Sequence, residues 1–208
     1  MINKFIRYVG NNFGNPGGIG GKISTKIMNL MNQKQYKAVL ENISLKPGDI
    51  VLDIGFGNGY LIKKIFKQNI PIKICAIEIS NDMLNIVSSR NKKNIRNGSL
   101  ELFLCDIGKT MFAENTFDKI YTVNTVYFWD ELEKCLSEIR RILKPDGIFI
   151  NVIYTKEYLD KMVFTKYGFK KYSVDEIKEF TEANGMKIIE ILEIQKNKSY
   201  CIISGNKN

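Results

Sequence analysis

The chain has 208 residues, of which 44% are hydrophobic and 25% are charged, and its net charge is +9. This composition is typical of a globular protein of one domain that buries a core without disulfides or metals. It excludes a membrane helix, since no run approaches the roughly 20 apolar residues that a span needs. The sequence contains no histidine, which also excludes serine–histidine and cysteine–histidine mechanisms.

The cysteines and the N-terminus indicate a protein without metal or export signal. Cys75, Cys105, Cys135 and Cys201 stand far apart in apolar segments, with no Cys-x-x-Cys pair. We interpret them as buried free thiols and expect no metal site. The N-terminus lacks the apolar core of a signal peptide, so we predict a cytoplasmic location and no contact with a membrane.

The positive charge raises the question of a nucleic-acid partner. The densest basic tract, Lys92, Lys93 and Arg96, lies among Asn and Gly in a predicted loop. No aromatic residue is interleaved there to stack on bases. We therefore favour a small-molecule partner and keep nucleic acid as the lesser alternative.

The element pattern predicts repeated βα units. From Pro47 onward, short apolar runs alternate with amphipathic helical patterns, which is typical of a mainly parallel sheet. The predicted strands cover residues 50–54, 72–78, 100–105, 119–123 and 148–153. Two of the predicted helices cover residues 58–68 and a segment capped by Ser80. A further helix runs from Leu132 to Leu143 and stops at Lys144-Pro145-Asp146-Gly147. Another runs from the Ser173 capping box to Gly185.

The chain finishes in two β-rich runs, residues 187–194 and 200–204. Their connection, Gln195-Lys196-Asn197-Lys198, suits an antiparallel hairpin and is too short for a helical crossover. A parallel sheet that ends in a hairpin differs from plain nucleotide-binding folds. We predict an α/β fold, a Rossmann-like three-layer sandwich with a mainly parallel sheet.

Two segments stand outside the alternation, residues 1–46 and 154–172. Both are placed to cover the carboxyl ends of the strands, where open α/β sheets bind ligands. The glycine-rich stretch Asn11–Lys22 departs from a phosphate loop, because Ile23 follows Lys22 and no strand precedes it. We interpret residues 1–46 as a helical lid segment with a helix over 25–42, and 47–208 as the ligand-binding unit of one compact domain.

The run Val51-Leu52-Asp53-Ile54-Gly55-Phe56-Gly57-Asn58-Gly59 carries the main chemical signal. It is an apolar strand that ends in an acid, followed by glycines that let the backbone turn and a ligand approach closely. The Gly-x-Gly-x-Gly spacing differs from the Gly-x-Gly-x-x-Gly fingerprint of dinucleotide sites. Asp53 would repel a pyrophosphate and suits an ammonium or sulfonium. The motif therefore favours a cofactor without phosphate, and an NAD oxidoreductase is the most distant alternative.

Polar side chains end four consecutive predicted strands: Asp53, Glu78, Asp106 and Asn124. Glu78 is placed to accept hydrogen bonds from the hydroxyls of an adenosine ribose, and Asp106 from an adenine amino group. One such residue would be an ordinary turn former. Four at the ligand edge predict a binding site.

Together these motifs resemble those of the class I S-adenosylmethionine-dependent methyltransferases, from about Lys46 to the C-terminus. Leu143-Lys144-Pro145-Asp146-Gly147 and the segment Asn124–Trp129 belong to the resemblance. It implies a seven-stranded sheet, S-adenosylmethionine as cofactor and S-adenosylhomocysteine as product. The implied cofactor-binding residues are Asp53, Gly55, Phe56, Gly57, Gly59, Glu78, Ile79, Asp106, Ile107 and Asn124.

The methyl acceptor is harder to predict. Enzymes that methylate DNA amino groups resemble one another in an Asp/Asn-Pro-Pro-aromatic motif, whereas Asn124 is followed here by Thr125 and Val126. No Pro-Cys of cytosine C5 enzymes occurs. We predict an apolar or planar small acceptor in a pocket of aromatic and methionine side chains, each of which alone is more typical of core packing: Tyr127, Phe128, Trp129, Tyr158, Met162, Phe164, Tyr167 and Phe169.

Tyr127 is the candidate for a proton acceptor or positioning residue. Two further functions stay open. One is a methyltransferase that acts on RNA or protein, which the positive charge favours. The other is a non-catalytic module that binds the cofactor or a partner.

Overall fold

The computed structural model of the protein describes residues 30–166 and 168–207. These residues form one seven-stranded sheet with helices on both faces. The glycine-rich segment Asn11–Lys22, the first part of the predicted helix 25–42 and Tyr167 lie outside the described residues. The predictions for them stay predictions.

The sheet has the order β3-β2-β1-β4-β5-β7-β6. Strands β1 to β5 pair in parallel, and β7 pairs antiparallel with both β5 and β6. The predicted mainly parallel sheet with a terminal hairpin is therefore confirmed. The strand order runs from β1 toward one edge of the sheet and from β4 toward the other edge. In open α/β sheets, such a switch between neighbouring strands places the ligand crevice at their carboxyl ends. The strands are β1 (Ile50–Ile54), β2 (Lys73–Glu78), β3 (Leu100–Leu104), β4 (Phe117–Val123), β5 (Leu143–Tyr154), β6 (Met186–Gln195) and β7 (Ser199–Asn206).

Helices cover the two faces of the sheet. Both predicted caps are confirmed, since the Ser80 hydroxyl accepts the Met83 N–H and Ser173 forms a capping box with Glu176. Short 3₁₀ turns cover residues 107–109, 126–128 and 163–166. The α-helices are α1 (Gln33–Asn42), α2 (Tyr60–Phe66), α3 (Asn81–Arg90), α4 (Lys92–Arg96), α5 (Leu132–Ile142), α6 (Lys156–Leu159) and α7 (Val174–Ala183).

The core consists of two clusters, one on each side of the sheet, because successive strand residues face opposite sides. One cluster packs beneath α1, α2 and α3 and includes Val39, Ile62 and Val87. The other packs beneath α5 and α7 and includes Leu136 and Ile177. The predicted three-layer sandwich is confirmed. None of the helices in the described part of the chain has the length and apolarity of a membrane span.

Some predicted boundaries are wrong. Residues 92–96, predicted as a loop, form α4. The helix predicted over 58–68 is limited to α2, because Gly59 is its N-cap. The two hairpin strands are longer than the predicted runs.

The start of β5 is a second difference. Leu143, which the sequence placed at the end of a helix, is already extended and pairs with Phe117. Lys119 pairs with Ile148, so residues 144–147 form a bulge opposite Asp118. The Lys144 ammonium lies 2.8 Å from both carboxylate oxygens of Asp118. Pro145 and Gly147 permit the bulge, and the ion pair between Lys144 and Asp118 stabilises it.

Asn151 is a buried polar residue at the centre of β5. Its side chain is 2% exposed, and neither its amide nitrogen nor its oxygen has a partner among the described residues. An unpaired buried polar group costs about 1–3 kcal/mol, and valine suits a strand. We expect Asn151→Val to raise the free energy of unfolding by about 1–2 kcal/mol, as measured by urea denaturation.

The control for this change is Thr122→Val. Thr122 pairs with Asn151 on the neighbouring strand, and its buried hydroxyl donates to the Ile54 carbonyl at 3.0 Å. Valine at position 122 removes an existing hydrogen bond and should lower the free energy of unfolding by about 1 kcal/mol. A loss of stability in Asn151→Val would contradict the assignment of Asn151 as unpaired.

Candidate functional site

A cleft opens at the carboxyl ends of β1 to β4, and we call it the strand-end cleft. Its empty space is about 1000 Å³, a figure that includes open solvent. The structure brings nine residues of the predicted cofactor site to its walls: Asp53, Gly55, Phe56, Gly57, Glu78, Ile79, Asp106, Ile107 and Asn124.

Two glycines form the floor of this cleft, and a side chain on each would meet different surroundings. Gly55 and Gly57 both have left-handed φ values, +72° and +52°, which favour glycine. A Cβ on Gly55 would lie 2.5 Å from Thr125 Cγ2, so the loop packs tightly against the end of β4. A Cβ on Gly57 would have no atom within 4 Å. Gly57 therefore faces the open cleft, where a ligand can approach its backbone.

Gly59 has a structural position instead. It is the left-handed N-cap of α2, and a Cβ there would lie 3.1 Å from the Val87 methyl groups of α3. It is not among the residues that line the strand-end cleft. The structure thus connects Gly59 with the close packing of α2 on α3, and its assignment to the cofactor stays a prediction.

Glu78 holds the glycine loop to the end of β2. One carboxylate oxygen accepts the Gly57 N–H at 2.9 Å, and the other accepts those of Ile79 and Ser80 at 2.9 and 3.1 Å. Burial raises the pKa of this carboxyl, and the three N–H groups oppose that rise. A carboxylate accepts about four hydrogen bonds. Glu78 can therefore bind a ligand hydroxyl while it fixes the loop.

Asp53 is the second buried acid of the cleft. It is 4% exposed, and its carboxylate accepts the Tyr121 hydroxyl at 2.8 Å. Burial raises its pKa from 3.8 to about 7, against the effect of the Tyr121 hydrogen bond and with a further contribution from the charge of Glu78. No ion pair of the described residues includes Asp53 or Glu78. Two buried acids without a cation favour a positively charged ligand.

The opposite end of the cleft is an apolar slot. Ile107 is 3% exposed and packs in the core, whereas Ile79 is 46% exposed at the rim. Asp106 begins the 3₁₀ turn and accepts the Gly108 N–H at 2.7 Å. Apolar walls with a few polar groups are typical of sites for planar rings. In the described part of the chain, no group of three or more acidic or cysteine residues is arranged to hold a metal.

Helix α1 supplies cleft residues that the sequence analysis missed. Asn32 and Tyr36 line the cleft, and the Tyr36 ring stacks on that of Tyr60 at 4.8 Å. Burial raises the pKa of Tyr36 to about 12. Only the tertiary contact with α2 distinguishes this tyrosine from an ordinary core residue of an amphipathic helix. The single tryptophan, Trp129, also lines the cleft.

A second cavity of about 390 Å³ adjoins the strand-end cleft, and we call it the side cavity. The two share Asn32, Asn124 and Phe128, which we call the junction. None of the described residues that line the side cavity is charged. Besides the junction, its walls are Met31, Tyr127, Tyr154, Leu159, Met162, Phe164 and Phe169.

The predicted aromatic pocket is thus partly assembled. Trp129 lies in the strand-end cleft, and Tyr158 packs behind the side cavity with its ring 5.0 Å from that of Tyr154. Tyr167 lies outside the described residues. The other predicted members line the side cavity: Tyr127, Phe128, Met162, Phe164 and Phe169.

Tyr127 is fully enclosed at the inner end of the side cavity. Its hydroxyl contacts both backbone polar atoms of Tyr154 and lies 3.1 Å from Asn124 Oδ1. Burial raises the pKa of Tyr127 well above its usual value, so the hydroxyl stays protonated at neutral pH. Its contacts suit the positioning role and oppose that of proton acceptor.

Comparison with known proteins agrees with this geometry. Residues 52–151 match the methyltransferase domain family. The uncharacterized methyltransferase YdaC of Bacillus subtilis is 30% identical over 128 residues, which cover 60% of this chain and 67% of that protein. The chain belongs to the class I S-adenosylmethionine-dependent methyltransferases. A crystal structure of a SAM dependent methyltransferase from Aquifex aeolicus is 25% identical to this methyltransferase, with a TM-score of 0.71 over 86% of this chain and 96% of that one.

Another relative is the sterol 24-C-methyltransferase ERG6B of Gibberella zeae. It is 33% identical over 108 residues, which are 52% of this methyltransferase and 28% of the fungal protein. The shared segment is therefore about half of this chain and less than a third of that relative.

The charges of the cleft fit the cofactor of this methyltransferase family. S-adenosylmethionine carries a sulfonium and an ammonium, and the cleft contains the buried acids Asp53 and Glu78 without a basic partner among the described residues. The cofactor would supply both the missing positive charge and a flat adenine for the apolar slot.

Proposed function

We propose that this methyltransferase binds S-adenosylmethionine in the strand-end cleft and transfers its methyl group to a small molecule in the side cavity. The observation that carries the proposal is the junction, where two cavities of different character meet. One contains buried acids and a glycine loop, and the other is apolar. Two joined sites of this kind suit a reaction between a charged donor and an uncharged acceptor.

The residue roles follow from the geometry of the cleft. The glycine loop at Gly55 and Gly57 lies beneath the methionine part, and Asp53 attracts its ammonium or sulfonium. Glu78 binds the ribose hydroxyls with the acceptor capacity left by its three N–H partners. Asp106 and Ile107 flank the adenine.

A small acceptor is supported by the chemistry of the side cavity. None of the described residues in its walls is charged, and most of them are aromatic or aliphatic. A sterol methyltransferase is among the relatives of the chain, and its name specifies a small acceptor.

The bound cofactor supplies an activated methyl group. The chain's own residues hold the acceptor in line with it and exclude water, which together account for much of such a reaction. Phe128 at the junction and Phe169 in the side cavity, whose rings lie 4.7 Å apart, exclude water from the acceptor side. Tyr127 keeps its proton and positions Asn124.

The test is calorimetric titration with S-adenosylmethionine, S-adenosylhomocysteine and NAD as the control. We expect binding of both adenosyl ligands at about micromolar Kd, or about −8 kcal/mol, and none of NAD. Because Trp129 is the only tryptophan and lines the cleft, its fluorescence gives an independent measurement. Binding of NAD alone would contradict the proposal. Salt-sensitive binding of tRNA would favour an RNA acceptor instead.

A further inference from the structure

Asn124 is a polar residue of the junction that is placed to contact an acceptor. Asn124 ends β4 with a left-handed φ of +58°, and its side chain lines both cavities. Its Oδ1 accepts the Tyr127 hydroxyl at 3.1 Å and the Tyr154 N–H at 3.2 Å. Its Nδ2 donates to Asn32 Oδ1 at 3.0 Å.

These contacts fix the orientation of the Asn124 amide. An amide nitrogen carries two hydrogens, and only one is used by a described residue. Within residues 30–166 and 168–207, the Asn124 amide makes no contact beyond those named. One N–H donor therefore remains at the junction, in a position held by three hydrogen bonds.

The other polar groups around the side cavity are occupied. The Tyr154 hydroxyl donates to the Met31 carbonyl at 3.0 Å, and the Tyr127 hydroxyl contacts the Tyr154 backbone. Asn32 Oδ1 accepts from Asn124, and the Asn32 side chain also hydrogen-bonds Tyr36. The other described walls are hydrocarbon, sulfur and aromatic rings. An acceptor with a charged body would lose its hydration there without compensation.

We propose that the side cavity binds an uncharged aromatic or polycyclic acceptor whose oxygen, next to or at the methylated atom, accepts a hydrogen bond from Asn124 Nδ2. This inference rests on the proposed small-molecule function. Asn124, assigned from the sequence to the cofactor, becomes the residue that selects the acceptor. Because the donor lies where the cavities meet, it places the oxygen-bearing end of the acceptor toward the cofactor.

The experiment compares naphthalene with 1-methoxynaphthalene, whose ether oxygen accepts a hydrogen bond but cannot donate one. Each is titrated into the full chain saturated with S-adenosylhomocysteine, and binding is followed by calorimetry. We expect both to bind, with 1-methoxynaphthalene tighter by about tenfold, which is the value of one hydrogen bond. Equal affinity for the two probes would overturn the role of Asn124. Binding of neither probe would overturn the apolar acceptor class.

Variants of Asn124 separate this role from folding. Asn124→Asp suits the left-handed backbone and keeps the acceptor oxygen but removes the N–H donors. Asn124→Gly relieves the backbone and removes the amide. Both should lose the preference for 1-methoxynaphthalene while binding naphthalene within about twofold of the wild type. A preference retained in both variants would overturn the proposal.

The matched control is Asn69→Asp. Asn69 has a left-handed φ of +55° and lies outside both cavities. It should keep the tenfold preference. The same samples are titrated with S-adenosylmethionine. If the cofactor binds and neither probe does, only the acceptor inference fails. If the cofactor itself does not bind, the proposed function fails and the inference fails with it.

Discussion

Gly57→Val is expected to lose binding of S-adenosylmethionine by at least roughly 100-fold while the chain stays folded. Gly57 is the one position of the glycine loop whose missing side chain faces the open cleft, since a Cβ there has no atom within 4 Å. Valine would place three carbons where the cofactor must approach the backbone. Calorimetry measures the binding, and thermal unfolding measures the fold.

Gly98→Val is the matched control for Gly57→Val. Gly98 also has a left-handed φ, +77°, and open space around its Cβ position, but it lies outside the strand-end cleft. Both variants bear a similar backbone cost of about 1–2 kcal/mol. Only Gly57→Val should lose the cofactor. Near-normal affinity in a folded Gly57→Val variant would show that the cofactor does not lie on this loop.

Asp53→Asn is expected to make the cofactor-free protein more stable at pH 8 and to weaken cofactor binding. Asp53 is 4% exposed, and burial raises its pKa from 3.8 to about 7. Ionisation in the folded state therefore costs free energy. Asparagine keeps the acceptor for the Tyr121 hydroxyl without that cost, but it cannot attract a cation.

The pH dependence has a definite sign. Below about pH 4 Asp53 is protonated in both the folded and the unfolded chain and contributes nothing. Between about pH 4 and 7 the unfolded chain releases the proton and the folded chain keeps it. Stability therefore falls as pH rises, by about 4 kcal/mol in total as an order of magnitude. Urea denaturation from pH 4 to 8 should show a shallower fall in Asp53→Asn.

Cofactor binding should respond in the opposite direction. A sulfonium or ammonium binds the ionised form of Asp53, so the Kd of the wild type should decrease as pH rises toward about 7. Asp53→Asn should lose this dependence and bind about 10- to 100-fold more weakly at pH 8, because a charge-assisted hydrogen bond is removed.

Asp118→Asn is the control for the Asp53 experiment. Asp118 is paired with Lys144, and its backbone and lysine contacts lower its pKa. Its loss should leave the fall in stability between about pH 4 and 7 in place. A wild-type protein whose cofactor affinity does not change over this range would contradict the assignment of Asp53 to the cation.

Most of the fold could be predicted because its signals are local. The boundaries of β1 agree with the apolar run that defines them, and the Ser173 capping box depends on residues three positions apart. The bulge at residues 144–147 could not be predicted, since it depends on an ion pair between Lys144 and Asp118 on a different strand.

The candidate site likewise contains residues that the sequence predicts and residues that only the tertiary structure reveals. Polar residues at consecutive strand ends were visible in the sequence, because parallel strands bring their carboxyl ends to one edge. Tyr36 of α1 was not, since it reaches the cleft only by stacking on Tyr60.

The sequence by itself determined the fold class, the family and the acids and glycines that line the strand-end cleft, because each depends on spacing along the chain. The tertiary structure decided that Gly59 packs against α3, that Tyr127 is enclosed and that Asn124 stands between two cavities. Those properties depend on which distant segments meet, and the free energy of packing, rather than any local pattern, selects those contacts.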